Sequence, residues 1–171
     1  HSDLMGGALI TTKEIMKQLF TKEYLLVGGI MGPREASLLL RGIRTLPYRL
    51  KTHQESALKV AQFLQSHPAV LKVHYPGLKS DLKQLSGYTG LMSFELVEAN
   101  YEAVKKVINQ VKVFKIGVSY CSFESMIMSL NIGNNEKQLI KDNISPGLIR
   151  LFIGMEPVHK LIEDLNAALQ R

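Results

Sequence analysis

The chain has 171 residues with 21 basic and 15 acidic side chains, a formal net charge of +6, and is 46% hydrophobic and 21% charged. That balance excludes a disordered polypeptide and provides for the core of about one domain. No apolar run approaches the ~18–20 residues of a membrane span, no basic-then-apolar leader opens the sequence, and the single cysteine, Cys121, excludes an intrachain disulfide, so a cytoplasmic location is expected.

Residues 4–11 form a short apolar run of the length of a buried strand. Thr11-Thr-Lys-Glu14 fits a capping box, with the Thr11 hydroxyl accepting from a free N–H and Glu14 reaching back. A helix through Ile15, Met16, Leu19 and Phe20 is expected to follow, and Gly28, Gly29 and Gly32 predict a loop. Pro33 then opens a second helix at a position where its missing N–H costs nothing. Ala36, Leu39, Leu40, Ile43, Leu46, Leu50, Ala57, Val60, Ala61 and Leu64 recur at spacings of three and four, with His53 filling the one wide gap. This predicts a long amphipathic helix, bent near Pro47 and ended by Ser66-His67-Pro68.

The period then changes to two. Leu71, Val73 and Tyr75 alternate with Lys72 and His74, and Met92, Phe94 and Leu96 alternate with Ser93 and Glu95, predicting two half-buried strands. Asn100 is placed to cap a helix carrying Val104, Val107, Ile108 and Val111. Residues 113–118 read as a third strand, and residues 148–153 as a fourth with Arg150 opposite Ile149, Leu151 and Ile153. Pro157 starts a terminal helix through Val158, Leu161, Ile162, Leu165, Ala168 and Leu169. Strands alternating with helices predict a two-layer α/β domain, its helices packed on one face of the sheet.

Familiar chemistry is mostly absent. The histidines His1, His53, His67, His74 and His159 have no metal-ligand spacing. Gly28-Gly29-Ile30-Met31-Gly32 lacks the lysine and hydroxyl of a phosphate loop, and His1-Ser2-Asp3 is no triad. The basic residues are interleaved with acids, and Arg41 and Arg44 on one helix face come without any nucleic-acid recognition signature. Two features stand out. Arg150 interrupts a strand of Leu, Ile and Phe: it is either a clamp for a carboxylate or phosphate, or an arginine on the exposed face. Val118-Ser-Tyr-Cys-Ser-Phe-Glu-Ser125 places small polar residues after a strand, where sites and ordinary turns both occur.

Taken together, an ordered set of motifs resembles the trans-sulfuration group of pyridoxal-phosphate enzymes of cysteine and methionine metabolism, the cystathionine lyases and synthases and methionine lyase. The set runs from His1-Ser2-Asp3 with Gly6-Gly7, through Leu38-Leu-Leu-Arg-Gly-Ile-Arg-Thr-Leu-Pro47, Ala57-Leu-Lys-Val-Ala61, His67-Pro-Ala-Val70 and Val73-His-Tyr-Pro-Gly-Leu78, to Phe123-Glu-Ser125, Leu148-Ile-Arg-Leu151 and Gly154-Met-Glu156. The resemblance implies the small C-terminal domain of a fold-type I enzyme over residues 33–171, with helices on one face of a mainly antiparallel sheet. Residues 1–32 would be a remnant of the large cofactor-binding domain.

The resemblance further implies that the lysine holding pyridoxal phosphate lies just before the His-Ser pair. No catalytic, cofactor-binding or metal-binding residue is therefore expected in this sequence, and the chain alone is expected to be inactive. Arg150 would bind the α-carboxylate of a sulfur-containing amino acid, Ser119 would help orient it, and Tyr120 stands where β-lyase-like members often carry Trp. Val118, where some γ-acting members carry an acid, leans toward β-lyase or methionine-lyase chemistry. A homo-oligomer, tetrameric as is typical of the family, is implied, with neither nucleic acid nor membrane as partner. Two other functions stay open: a non-catalytic oligomerisation module and, less favoured, a basic nucleic-acid-binding domain.

Overall fold

A five-stranded sheet organises the second part of the chain, and each of its strands is placed by what its backbone can pair with. The structure is a computed structural model and describes residues 1–79 and 85–170. It divides into two compact units, His1–Leu46 and Pro47–Arg171.

In the first unit, helix α1 (Lys13–Leu19) continues through a π-helical turn (Phe20–Tyr24) into α2 (Leu25–Val27), which ends at Gly28 in the left-handed conformation, φ +69°. Glycine pays no Cβ penalty there, so the helix stops. The N-cap is Thr12, one residue later than expected: its hydroxyl accepts from the Ile15 N–H at 3.4 Å. The Thr12 hydroxyl and a backbone hydrogen bond hold the exposed Glu14 carboxyl below its ordinary pKa, the backbone contributing more. The expected strand at residues 4–11 does not form. Met5 and Ile10 are more than nine-tenths exposed, and no strand lies in this unit among the described residues. An apolar run becomes a strand only where another strand takes its backbone hydrogen bonds.

Helix α3 (Pro33–Ser66) runs through Pro47 without interruption. The expected apolar stripe is present, but its two halves differ. His53, Ala57, Val60, Ala61 and Leu64 are buried, whereas Leu40, Ile43 and Leu46 remain exposed.

In the second unit the strands are β1 (Val70–His74), β2 (Leu91–Leu96), β3 (Lys115–Ile116), β4 (Met126–Ser129) and β5 (Leu148–Phe152), in the order β1-β2-β5-β4-β3. β1–β2, β2–β5 and β5–β4 are antiparallel, and β3–β4 is parallel. Helices α4 (Tyr101–Gln110), α5 (Glu136–Lys141) and α6 (Val158–Leu169) complete it. One core joins Met92 and Phe94 of β2, Ile127 of β4, and Ile149 and Leu151 of β5 with α3, α4 and α6. β4 and α5 have no counterpart among the expected elements.

Two strand expectations need correction. In β1 the register shifts between Val70 and Lys72, so Leu71 points outward while Val70 packs on the core; an inserted residue reverses the alternation. The strand expected over 113–118 shrinks to Lys115–Ile116. Upstream of it the buried Asp164 of α6 takes the N–H groups of Lys112, Val113 and Phe114 at 2.8–3.3 Å. A side chain there does what a strand neighbour would have done. The Asn100 cap forms as expected, accepting from the Ala103 N–H at 2.9 Å.

No helix among the described residues is long and apolar enough to cross a membrane, and no group of metal-ligating side chains occurs among them.

Candidate functional site

Arg150 sits on β5, the central strand, paired to Ser93 of β2 on one side and Met128 of β4 on the other. Alternation sends Ile149 and Leu151 into the core and leaves the half-buried Arg150 on the opposite face. Its Nη2 donates to the carbonyl oxygens of Val118 at 2.8 Å and Ser119 at 3.2 Å. Nη1 lies 3.6 Å from the Met128 sulfur, and the guanidinium stands 5.8 Å from the centre of the Tyr120 ring. No carboxylate forms an ion pair with Arg150 among the described residues. The two carbonyls orient the guanidinium and occupy one terminal nitrogen; they do not neutralise its charge. What remains is a cationic group with the N–H groups of Nε and Nη1 as donors for an anion.

Arg150, Ser119 and Tyr120 are thus brought together. Ser119 meets Arg150 through its main-chain carbonyl and not its hydroxyl, while Tyr120 contributes its ring face, which attracts a guanidinium electrostatically.

The segment that carries these groups, residues 117–125, is fastened at both ends. Gly117 donates to Ile127 O at 3.1 Å beside the β3–β4 pairing. At the other end Ser125 is fully buried. Its N–H and hydroxyl donate to the two oxygens of Glu156 at 2.8 and 2.7 Å, and its hydroxyl accepts from the Gly154 N–H at 2.8 Å. The Met155 N–H donates to Phe123 O at 2.8 Å. Gly154 is required for this approach, because a Cβ there would run into the Phe123 carbonyl oxygen and the backbone of Glu124. Within the segment Cys121 takes φ +63°, a conformation rare for a side-chain-bearing residue, and so redirects the chain straight after Tyr120. Burial pushes its thiol pKa up, against the opposing influence of Arg49.

Sequence reasoning assigned no role to Ser125, Gly154 or Glu156. The available signal was their presence in two of the motifs that carry the family resemblance. His53, which fills the wide gap in the helical period, is buried, with Nδ1 2.9 Å from Ile153 O and Nε2 buried without a hydrogen-bond partner. It ties α3 to the exit of β5.

Comparison with known proteins gives a consistent picture. The family described as Cys/Met metabolism PLP-dependent enzyme matches residues 1–170. The chain is 38% identical to a cystathionine beta-lyase of Haemophilus influenzae, covering 100% of this chain and 45% of that protein. It is 33% identical to a cystathionine gamma-lyase of Bacillus subtilis, over 99% of this chain and 47% of that one. A crystal structure described as an O-acetylhomoserine (thiol)-lyase of Campylobacter jejuni, with a pyridoxyl-lysine phosphate, superposes with a TM-score of 0.78 at 29% identity, covering 95% of this chain and 39% of the other. The chain thus spans about half the length of the curated relatives it matches.

Proposed function

The chain belongs to the pyridoxal-phosphate-dependent enzymes of cysteine and methionine metabolism, and from that membership we propose that it supplies the substrate-carboxylate grip of a carbon–sulfur lyase or transferase acting on a sulfur-containing amino acid. The observation that carries this reading is Arg150: a guanidinium rooted in the central strand, oriented by two carbonyls and paired with no acid among the described residues. In this reading residues 33–171 act as the small domain and residues 1–32 as part of the cofactor-binding domain.

When bound, pyridoxal phosphate supplies an electron sink for charge developing at the amino acid's Cα. The donor set here fits the amino acid beside that cofactor: a forked cation for its carboxylate, an aromatic face, and a serine. Arg150 holds the α-carboxylate by its charge and the N–H groups of Nε and Nη1, which anchors one end of the substrate and limits its rotation about Cα. Tyr120 shields one flank of the guanidinium from water, which strengthens its hold on the anion. Ser119 orients through its carbonyl on Arg150, leaving its exposed hydroxyl for the substrate. The resemblance puts the cofactor lysine before the pair His1-Ser2, so none of residues 1–171 is assigned as the cofactor's anchor. On this reading residues 1–171 by themselves are inactive.

Titration with L-methionine, followed by the Arg150 side-chain resonances in NMR, tests the grip. Arg150→Ala should weaken binding about 30- to 100-fold and Arg150→Lys about tenfold, since an ammonium lacks the bidentate fork; wild-type affinity in Arg150→Ala removes the reading. Adding cofactor should give no adduct that borohydride can fix; such an adduct together with turnover of cystathionine overturns the assignment of inactivity.

A second reading, self-assembly, is favoured by the exposed apolar side chains of the first unit, Met5, Ile10, Leu26 and Val27 among them. Light scattering at high concentration decides it: a homo-oligomer is expected, and a strict monomer excludes it.

A further inference from the structure

We propose that Glu156 is a positioning residue for the carboxylate grip: through Ser125 it sets where the 118–120 backbone stands against Arg150, and so which guanidinium N–H groups are left for an anion. The inference rests on the reading of Arg150 given above and adds a residue to it. Both oxygens of Glu156 are engaged by Ser125, whose hydroxyl is in turn fixed by the Gly154 N–H. A carboxylate can accept from an N–H and an O–H at once, and each such bond is about twice as strong as its neutral counterpart. A carboxamide in the same place keeps one acceptor and turns a donor toward the Ser125 hydroxyl, which must then rotate away from Glu156 or give up its role as acceptor for Gly154.

The direction of this influence follows from chain connectivity. Gly154 and Glu156 follow β5, the strand that carries Arg150, and Ser125 immediately precedes β4, which pairs with β5 across the Met128–Arg150 register. One strand therefore roots the guanidinium, and its continuation fixes the segment whose carbonyls orient that guanidinium. The fastening at Ser125, together with the Met155–Phe123 hydrogen bond, leaves the run from Val118 to Ser122 little freedom in how it approaches Arg150. Loosening it frees the Val118 and Ser119 carbonyls to move off Nη2, and the fork loses its fixed orientation although the guanidinium itself is intact.

The test compares Glu156→Gln and Ser125→Ala with Arg150→Ala in the full chain, using L-methionine as the probe, with amide hydrogen exchange and urea unfolding measured in parallel. Glu156→Gln and Ser125→Ala should speed exchange of the Gly154 amide and weaken L-methionine binding about three- to tenfold, while exchange at the Leu151 amide in β5 stays unchanged. A purely structural role would lower the unfolding midpoint and leave the binding constant of the folded protein as it is. Accelerated exchange at Gly154 with wild-type affinity in both variants therefore overturns the positioning role and leaves the Arg150 grip standing. Wild-type affinity in Arg150→Ala takes down the grip and the positioning role with it.

Discussion

The two ends of helix α3 carry the same apolar period and meet opposite fates. In the second unit Ala57, Val60, Ala61 and Leu64 are wholly buried, whereas in the first unit Leu40 and Ile43 are each more than half exposed. The same contrast holds between the units as wholes. One gathers its aliphatic side chains around a sheet, and the other leaves Leu26 and Val27 about four-fifths exposed. Periodicity specifies which face of an element is ready to be covered. Whether it is covered depends on a second surface, and that information does not reside in the element.

The sharpest way to break the comparison is to truncate one side chain in each unit. Phe94→Ala, at a fully buried core position, should cost about 3–5 kcal/mol in urea unfolding through lost transfer energy and the cavity left behind. Leu26→Ala should fall within about 0.5 kcal/mol, as expected for a surface change. Equal effects would mean that the units do not differ as described. Asp164→Ala should cost about 1–3 kcal/mol, because the amides of Lys112, Val113 and Phe114 lose a buried acceptor; exchange at those three amides should rise with it. The smallest contrast is between the two helix caps. Asn100→Ala should cost about 1 kcal/mol, whereas the exposed and longer Thr12 bond should be worth about 0.5 kcal/mol, the low end of the cap range. A larger loss in Thr12→Ala would show the first unit to be better consolidated than its exposure indicates.

Much of the second unit was legible because its signals are local. Asn100 announces its cap, β2 alternates over Met92, Phe94 and Leu96, and α6 repeats its apolar face through Leu161, Leu165 and Ala168. The misreadings share a cause. Residues 4–11 and residues 113–118 both look like strands by composition. A strand is a relation between two backbones, however, and in one case no partner strand is present in the unit while in the other a carboxylate replaces it. The bulge between Val70 and Lys72 reversed one alternation for a similar reason, since register is set by the neighbouring strand. At the candidate site, Arg150 was conspicuous as a charge within an apolar strand. Glu156 and Ser125 were not, because an acid and a serine in a polar stretch give no sign that they will meet 31 residues apart in sequence.

The clasp on Asp164 has a consequence in time as well as in space. The amides of Lys112, Val113 and Phe114 leave the ribosome 50–52 residues ahead of the carboxylate that accepts from them. During synthesis the approach to β3 must wait, hydrated and unpaired, for α6 to emerge. Closing a loop of that length makes the clasp slower to form than the local contacts of the neighbouring helices.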